Sequence, residues 1–339
     1  MPDDIIAEAL RLLRSRYIFP DKAEEAARLV ETHRAAEAYD GLDEAALGER
    51  ITADLFTVCA DKHLRVRQRD PALGTTLTTE ELEAAWYERE RLEGYRIVKV
   101  ERLPGNVGLI ELSGIADAAN GGRAIAAAME LVAQTHALIF DLRSNRGGSP
   151  DGVTFWCSFL FKDSMTHLNS IYDGESGRTK QFWSLPWLPG PRYLDRPVYV
   201  LCGGDTFSAG EEFCYNLKHL GRAALIGEVT RGGAHPTDFL PLSETMEITI
   251  PIARSVHPLT ETNWEGVGVE PDVVVPVAEA YAVAYRAALR HVVDSSAPGG
   301  IRDQAREALG GLPEGLPDVP APKPTARPES EEPQHMPGE

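Results

Sequence analysis

Apolar and polar positions change their period along the chain, and the changes divide it. Between residues 3 and 59 apolar residues recur every three or four positions. One set is Ile6, Leu10, Leu13 and Tyr17. The next is Ala23, Ala27 and Leu29-Val30, after Pro20. The third is Leu47, Ile51 and Leu55, after Asp43. That spacing puts each set on one face of a helix, with Pro20 in a first turn and Asp43 as a cap. Three such helices make a small bundle over residues 1–68.

Beyond the bundle the period shortens. Leu64-Arg65-Val66 begins an alternating strand after the turn signal Asp61-Lys62. Residues 80–92 read as a charged helix within a connector, residues 69–95. Residues 96–101 and 107–112 alternate around Pro104-Gly105-Asn106 and form a hairpin candidate. An Ala-rich helix over 121–135 leads to the apolar run 137–142, a buried strand. The loop Arg143-Ser144-Asn145-Arg146-Gly147-Gly148 and a helix over 151–161 follow. The same order recurs downstream: strand 197–202, turn Gly203 to Ser208, helix 211–220, strand 223–227. Residues 246–252 alternate as a strand, and the Gly-rich loop 263–272 leads into strand 273–275. Helices are expected at 278–294 and 301–309. Residues 162–196, with Trp183, Pro186, Trp187, Pro189 and Pro191, read as one irregular segment, either lining a site or forming a structural flap. The sequence from Leu312 to 339 is Pro-rich and charged and is expected to be a disordered tail. Mixed strands and helices over 96–311 point to an α/β core behind a helical N-terminal domain.

Composition narrows the functions. The chain has 339 residues, 34 Lys plus Arg against 52 Asp plus Glu, and a net charge of −18. That balance argues against nucleic acid and anionic membranes as partners. No run approaches a membrane-spanning length, and the N-terminus lacks an apolar signal core. A cytoplasmic protein is expected from the sequence as given, or a secreted one if a leader has been removed. Cys59, Cys157, Cys202 and Cys214 have no CxxC pairing, so buried free thiols are expected rather than disulfides or metal ligands. No metal site and no cofactor is expected. The loop ending Gly147-Gly148 lacks the Gly-Lys-Ser/Thr ending of a P-loop.

Two strand–turn–helix units carry candidate chemistry. Ser208 stands at a strand-to-helix turn among small residues, where a hydroxyl is exposed and helix N–H groups face an anion. Ser208 with Glu211 also reads as a capping box, and the two roles do not exclude each other. His63 sits at a joint, as a turn residue or a base. His235, after Gly232-Gly233-Ala234, is a second possible base or a turn residue. Asp205 is a weaker hydrogen-bonding candidate, and Glu211 and Glu212 read as helix-cap residues.

Four segments in order, DKHLRV (61–66), DLRSNRGG (141–148), TFSAGEEF (206–213) with the following LGRAALIGEVTRGGAH, and NWEGVGVEPD (263–272), resemble the C-terminal processing serine peptidases, in their interphotoreceptor retinoid-binding protein-like branch. The resemblance spans about residues 3–290. It implies a ClpP/crotonase-like core of ββα units, an active site between two domains, and a nucleophile at Ser208. It implies an oxyanion hole from the N–H of Ala209 with Gly147 or Gly148. One departure is plain. The bacterial processing peptidases place a lysine base in a Thr-x-Gly-Lys element, and here Gly233 holds that position. They also carry a PDZ domain, for which the stretch between Val66 and Arg96 is too short. The tricorn protease, a more distant relative, uses a histidine and a glutamate, which map to His63 and Glu265. The resemblance thus implies a serine peptidase acting on peptides or unfolded protein. The alternative is a non-catalytic module for retinoid or fatty-acid-like ligands. A crotonase-type enzyme acting on a coenzyme A thioester rests on fold alone.

Overall fold

The computed structural model describes residues 2–69, 79–162 and 165–323. Helices α1 (Pro2–Arg16), α2 (Pro20–Ala35) and α3 (Glu44–Cys59) occupy the N-terminal stretch, followed by strand β1 (Arg65–Gln68). Pro20 opens α2 as expected, and the Asp43 carboxylate caps α3 by accepting the Ala46 N–H at 2.9 Å. The bundle does not close on itself. Leu13, Val30, Leu47, Ile51 and Leu55 share one core with Met246, Ile248 and Ile250, which come from far downstream. Three helices of about fifteen residues leave an apolar face to cover. A three-stranded antiparallel sheet covers it, in which residues 246–251 lie between β1 and residues 237–241.

Residues 70–78, the first part of the connector, lie outside the described residues. Then come α4 (Thr79–Leu92), β2 (Ile97–Leu103), β3 (Val107–Leu112), α5 (Ala118–Val132), β4 (Ala137–Asp141), α6 (Pro150–Ser158), β5 (His167–Asp173), β6 (Thr179–Trp183) and β7 (Val198–Cys202). The chain continues through α7 (Ala209–His219), β8 (Ala224–Gly227), β9 (Thr237–Pro241), β10 (Met246–Pro251), β11 (Ala253–Val256), β12 (Val273–Val274), α8 (Ala280–Ser295) and α9 (Gly300–Gly310). The central sheet has the order β12–β8–β7–β4–β3–β2. Its β2–β3 pair is the expected antiparallel hairpin; the other pairs are parallel, with α5, α6 and α7 in the crossovers. Strands β4, β7 and β8 are buried on both faces, as crossover helices require.

Two expectations need correcting. Residues 162–196 are not irregular throughout: β5 and β6 form an antiparallel hairpin that β11 joins from the far side. Periodicity hides β5 because two of its buried positions are polar, Asn169 and Ser170. Residues 312–319, expected within the tail, are packed. Leu312, Leu316 and Val319 pack against the core under α8, and Arg286 donates to the Pro317 carbonyl. Residues 324–339 lie outside the described residues.

This architecture fixes the site. Asp141, the last residue of β4, pairs in register with Leu201 of β7. The loops leaving these two strands therefore start side by side at the carboxyl edge of a parallel sheet, where open α/β sheets place their ligands.

Candidate active site

Ser208 is the residue on which the turn from β7 to α7 is built. Its backbone lies at φ 53°, ψ −121°, a region that non-glycine residues rarely enter. Such strain costs about 1–3 kcal/mol and persists only where neighbours enforce it. Here they do. The Glu211 carboxylate accepts the Ser208 N–H at 2.9 Å, and its two oxygens also take the Thr230 hydroxyl at 2.5 Å and the N–H groups of Gly232 and Gly233 at 2.6 and 2.9 Å. Burial pushes the Glu211 pKa up, against the pull of these four bonds. Glu211 was read from sequence as a cap. It is also the tie between the serine turn and the loop 230–233, a role that a spacing of three residues cannot reveal.

The neighbouring loop closes on the serine. Asn145, fully buried, donates to the Leu112 carbonyl at 3.1 Å and accepts the Gly147 N–H at 3.0 Å; its own carbonyl accepts the Phe207 N–H at 3.0 Å. A Cβ on Gly147, at φ 97°, would lie 2.7 Å from Ser208 Cβ and 3.3 Å from the Ala209 nitrogen. Only glycine allows that approach. Because the Gly147 N–H is already given to Asn145, the two expected oxyanion glycines are not equivalent. Among the described residues, the backbone N–H groups of Gly148 and Ala209 are given to no acceptor. Asn145 stands inside the DLRSNRGG segment, but nothing in its spacing marks it as the link between the two loops.

His63 lies on the turn between α3 and β1. The Asp61 carboxylate accepts its backbone N–H at 3.0 Å, and its ring stacks on Phe207, the residue before the serine, with centroids 4.4 Å apart. Its Nδ1 is buried without a partner. Burial lowers the His63 pKa to about 4, with Asp61 pulling the other way, so the imidazole is neutral at pH 7. No hydrogen bond joins it to Ser208 among the described residues. Gly233 shows why a lysine has no place here. A Cβ on it would sit 2.3 Å from Phe207 Cε2 and 2.7 Å from His63 Cε1, so the two rings fill the space a side chain at 233 would enter.

Glu265 comes from the loop before β12. Its Oε2 accepts the Ala234 N–H at 2.6 Å and lies 3.4 Å from His235 Nδ1; its Oε1 is buried without a partner. Burial, then the charge of Asp61, raises its pKa to about 7. No hydrogen bond joins it to His63. His235 is buried and gives Nδ1 to Asp61 Oδ2 at 2.7 Å. The ligand atoms of Asp61, His235 and Glu265 lie within 4.8 Å of one another, the one group of this kind among the described residues that could hold a metal ion. Within it the imidazole N–H is given to Asp61, and Glu265 takes the Ala234 N–H. Asp61 appeared in the sequence only as part of a turn. Asp205 lies on the surface, paired with Arg146 at 3.1 Å. Glu212 is buried rather than a surface cap, and burial raises its pKa to about 8. All four cysteines are buried free thiols.

The arrangement offers a strained serine, a neutral imidazole beside it, a buried carboxylate nearby and two free N–H groups. Those are the parts of acyl transfer to a hydroxyl. The chain is similar to known peptidases. A 166-residue stretch is 28% identical to the carboxyl-terminal-processing peptidase 2, chloroplastic, of Arabidopsis thaliana, covering 46% of this chain and 30% of that protein. A 145-residue stretch is 26% identical to the carboxy-terminal-processing protease of Bartonella bacilliformis, covering 42% and 32%. The matched stretches thus span under a third of these relatives. Among solved structures, the photosystem II D1 C-terminal processing protease aligns over 80% of this chain and 92% of its own with a TM-score of 0.50 at 16% identity. A lipoprotein from Streptococcus agalactiae aligns over 84% and 96% with a TM-score of 0.54 at 15% identity, a likeness of fold. The model of peptidase family S41 matches residues 106–275, just over half of the chain and the part that carries Ser208, Gly147, Gly148, His235 and Glu265. The chain belongs to peptidase family S41.

Proposed function

We propose that this chain is a serine peptidase that cleaves peptides or unfolded protein segments through an acyl-enzyme on Ser208. His63 is the general base and Glu265 the carboxylate that orients it. The observation that carries this reading is the backbone of Ser208, held at positive φ by Glu211 with Gly147 packed against its Cβ. A strained turn of this kind exposes a nucleophile between oxyanion donors.

The chemistry follows from the groups present. A substrate carbonyl enters over Ser208, with its oxygen toward the N–H groups of Ala209 and Gly148. His63 rotates off Phe207 and takes the hydroxyl proton as Oγ attacks. The negative charge of the tetrahedral intermediate meets the two N–H groups, and the imidazolium returns its proton to the departing amine. Water then repeats the sequence on the ester and frees Ser208. Buried Nδ1 of His63 and buried Oε1 of Glu265 are complementary, donor and acceptor, once the imidazole moves. Hydrogen bonds of this sort often tighten only when substrate is bound.

We read the core as ClpP/crotonase-like and the branch as interphotoreceptor retinoid-binding protein-like on the resemblance of the segments 61–66, 141–148, 206–213 and 263–272. A fluorophosphonate probe tests the activity. Wild type is expected to label, with labelling abolished in Ser208→Ala and reduced at least a hundredfold in His63→Ala. Folded wild-type protein that does not label would refute the peptidase reading and leave an apolar-ligand module as the better account.

A further inference from the structure

His235 is a buried imidazole with one ring nitrogen facing two carboxylates. Its Nδ1 lies 2.7 Å from Asp61 Oδ2 and 3.4 Å from Glu265 Oε2. With the proton on Nδ1, the N–H is given to Asp61 and faces Glu265 from 3.4 Å. Tyr17 adds its hydroxyl to the same Asp61 oxygen at 3.3 Å, and the Phe19 ring stands edge-on to the imidazole with centroids 5.4 Å apart. The other Asp61 oxygen holds the backbone N–H of His63 at 3.0 Å, and Glu265 is fixed to the residue before His235 through the Ala234 N–H. A chain of hydrogen bonds thus runs from the His63 backbone through Asp61 to His235, and the Ala234 N–H beside His235 carries it on to Glu265. It joins Asp61 and His235 across 174 residues of sequence. The atoms left over at its ends, His63 Nδ1 and Glu265 Oε1, are both buried and unpartnered.

We propose that His235 is a positioning residue: its Nδ1–H clamps Asp61 and Glu265 together and so holds His63 and Glu265 in register for catalysis. This rests on the reading of His63 and Glu265 above, and it assigns His235 a role other than that of base. Like charges this close in a site sheltered from water repel strongly. Without a donor between them, Glu265 leaves its place and the base loses its orienting carboxylate. The geometry also says which substitute works. An asparagine amide nitrogen reaches the position of Nδ1 and carries two hydrogens, enough for both acids, yet it takes up no proton at neutral pH.

The test compares His235→Asn with His235→Ala in the full chain, using the rate and concentration dependence of fluorophosphonate labelling. A clamp is expected to show a tenfold or larger fall in kinact for His235→Ala, with KI within about twofold. His235→Asn is expected to recover most of that loss. If His235→Asn labels as poorly as His63→Ala, His235 is the base and the proposal fails. A second readout is independent of activity. A proton held between imidazole and carboxylate resonates downfield of the amide envelope. It is expected in wild type and in Ser208→Ala, shifted in Glu265→Gln and lost in His235→Asn. Its absence from folded wild type, or its indifference to Glu265→Gln, overturns the clamp whether or not the protein labels. Failure of wild type to label, with this proton present, would strike only the peptidase reading.

Discussion

Single residues decide the chemistry by what they exclude. Gly233 leaves room for the Phe207 and His63 rings, and a methyl group there would meet both at under 3 Å. Gly233→Ala is therefore expected to displace the His63 ring and to slow fluorophosphonate labelling at least tenfold. Its effect on unfolding in urea should be small, because the rings can rotate outward. Unchanged labelling would show that the His63 position is not critical. A second expectation concerns acid. Glu265 has a raised pKa, through burial first and the Asp61 charge second, with the facing His235 opposing. The form of Glu265 that orients a base is the ionised one, so labelling should fall as pH drops through about 7. His63, lowered by burial to about 4, loses its neutral form only further into acid. Glu265→Gln should thus label slowly at every pH and lose the limb near neutrality, retaining only the lower one. A wild-type profile flat down to pH 5 would remove Glu265 from the mechanism. Ser208 stands out in the sequence by its residue type and its place at a turn, whereas His63 and Glu265 become candidates only through the resemblance to the tricorn protease. Asn145 and Asp61 act only through where the fold delivers them, and their types name nothing.

The element at the centre is α7, together with the loops that Glu211 ties to its first turn. Its carboxylate satisfies four donors in a site without water access, and leaving such groups unpaired costs about 1–3 kcal/mol each. Relaxation recovers part of this, so Glu211→Ala is expected to cost roughly 3–5 kcal/mol in urea unfolding and to slow labelling as the serine turn relaxes. A cost under about 1 kcal/mol would mean that the turn holds itself. Strands β4, β7 and β8 are readable in advance because a strand buried on both faces is a nearly unbroken apolar run. The hairpin β5–β6 is not. Asn169 and Ser170 are buried there, while Thr179, Lys180 and Gln181 are exposed beside a buried Phe182. Its pattern is set by polar contacts within the protein and not by a division between core and water. Strand β11 escapes for a related reason: it is short, and its partner β5 lies far away in sequence.

On the scale of the whole molecule, the site depends on two cores held together. The larger one carries the sheet, Ser208 and the glycine loop. The other joins α1, α2 and α3 to β1 and β10 and carries Asp61 and His63 at its edge. The chain enters this second core twice, first over residues 5–66 and again over residues 246–250 after completing β8. A helical unit with its own core would melt separately. One whose core is completed by a distant strand should unfold with the rest. Leu13, fully buried among those helices, makes the distinction measurable. Leu13→Ala should cost about 2–5 kcal/mol, as buried leucine truncations do, and the loss should appear in a single unfolding transition followed both by fluorescence and by circular dichroism. Labelling of Ser208 should weaken over the same denaturant range, because Asp61 and His63 leave with the helices. Two transitions, with only the earlier one shifted and labelling retained through it, would mean that the nucleophile works without the N-terminal core. The base would then have to come from outside the N-terminal core, and His63 would be excluded.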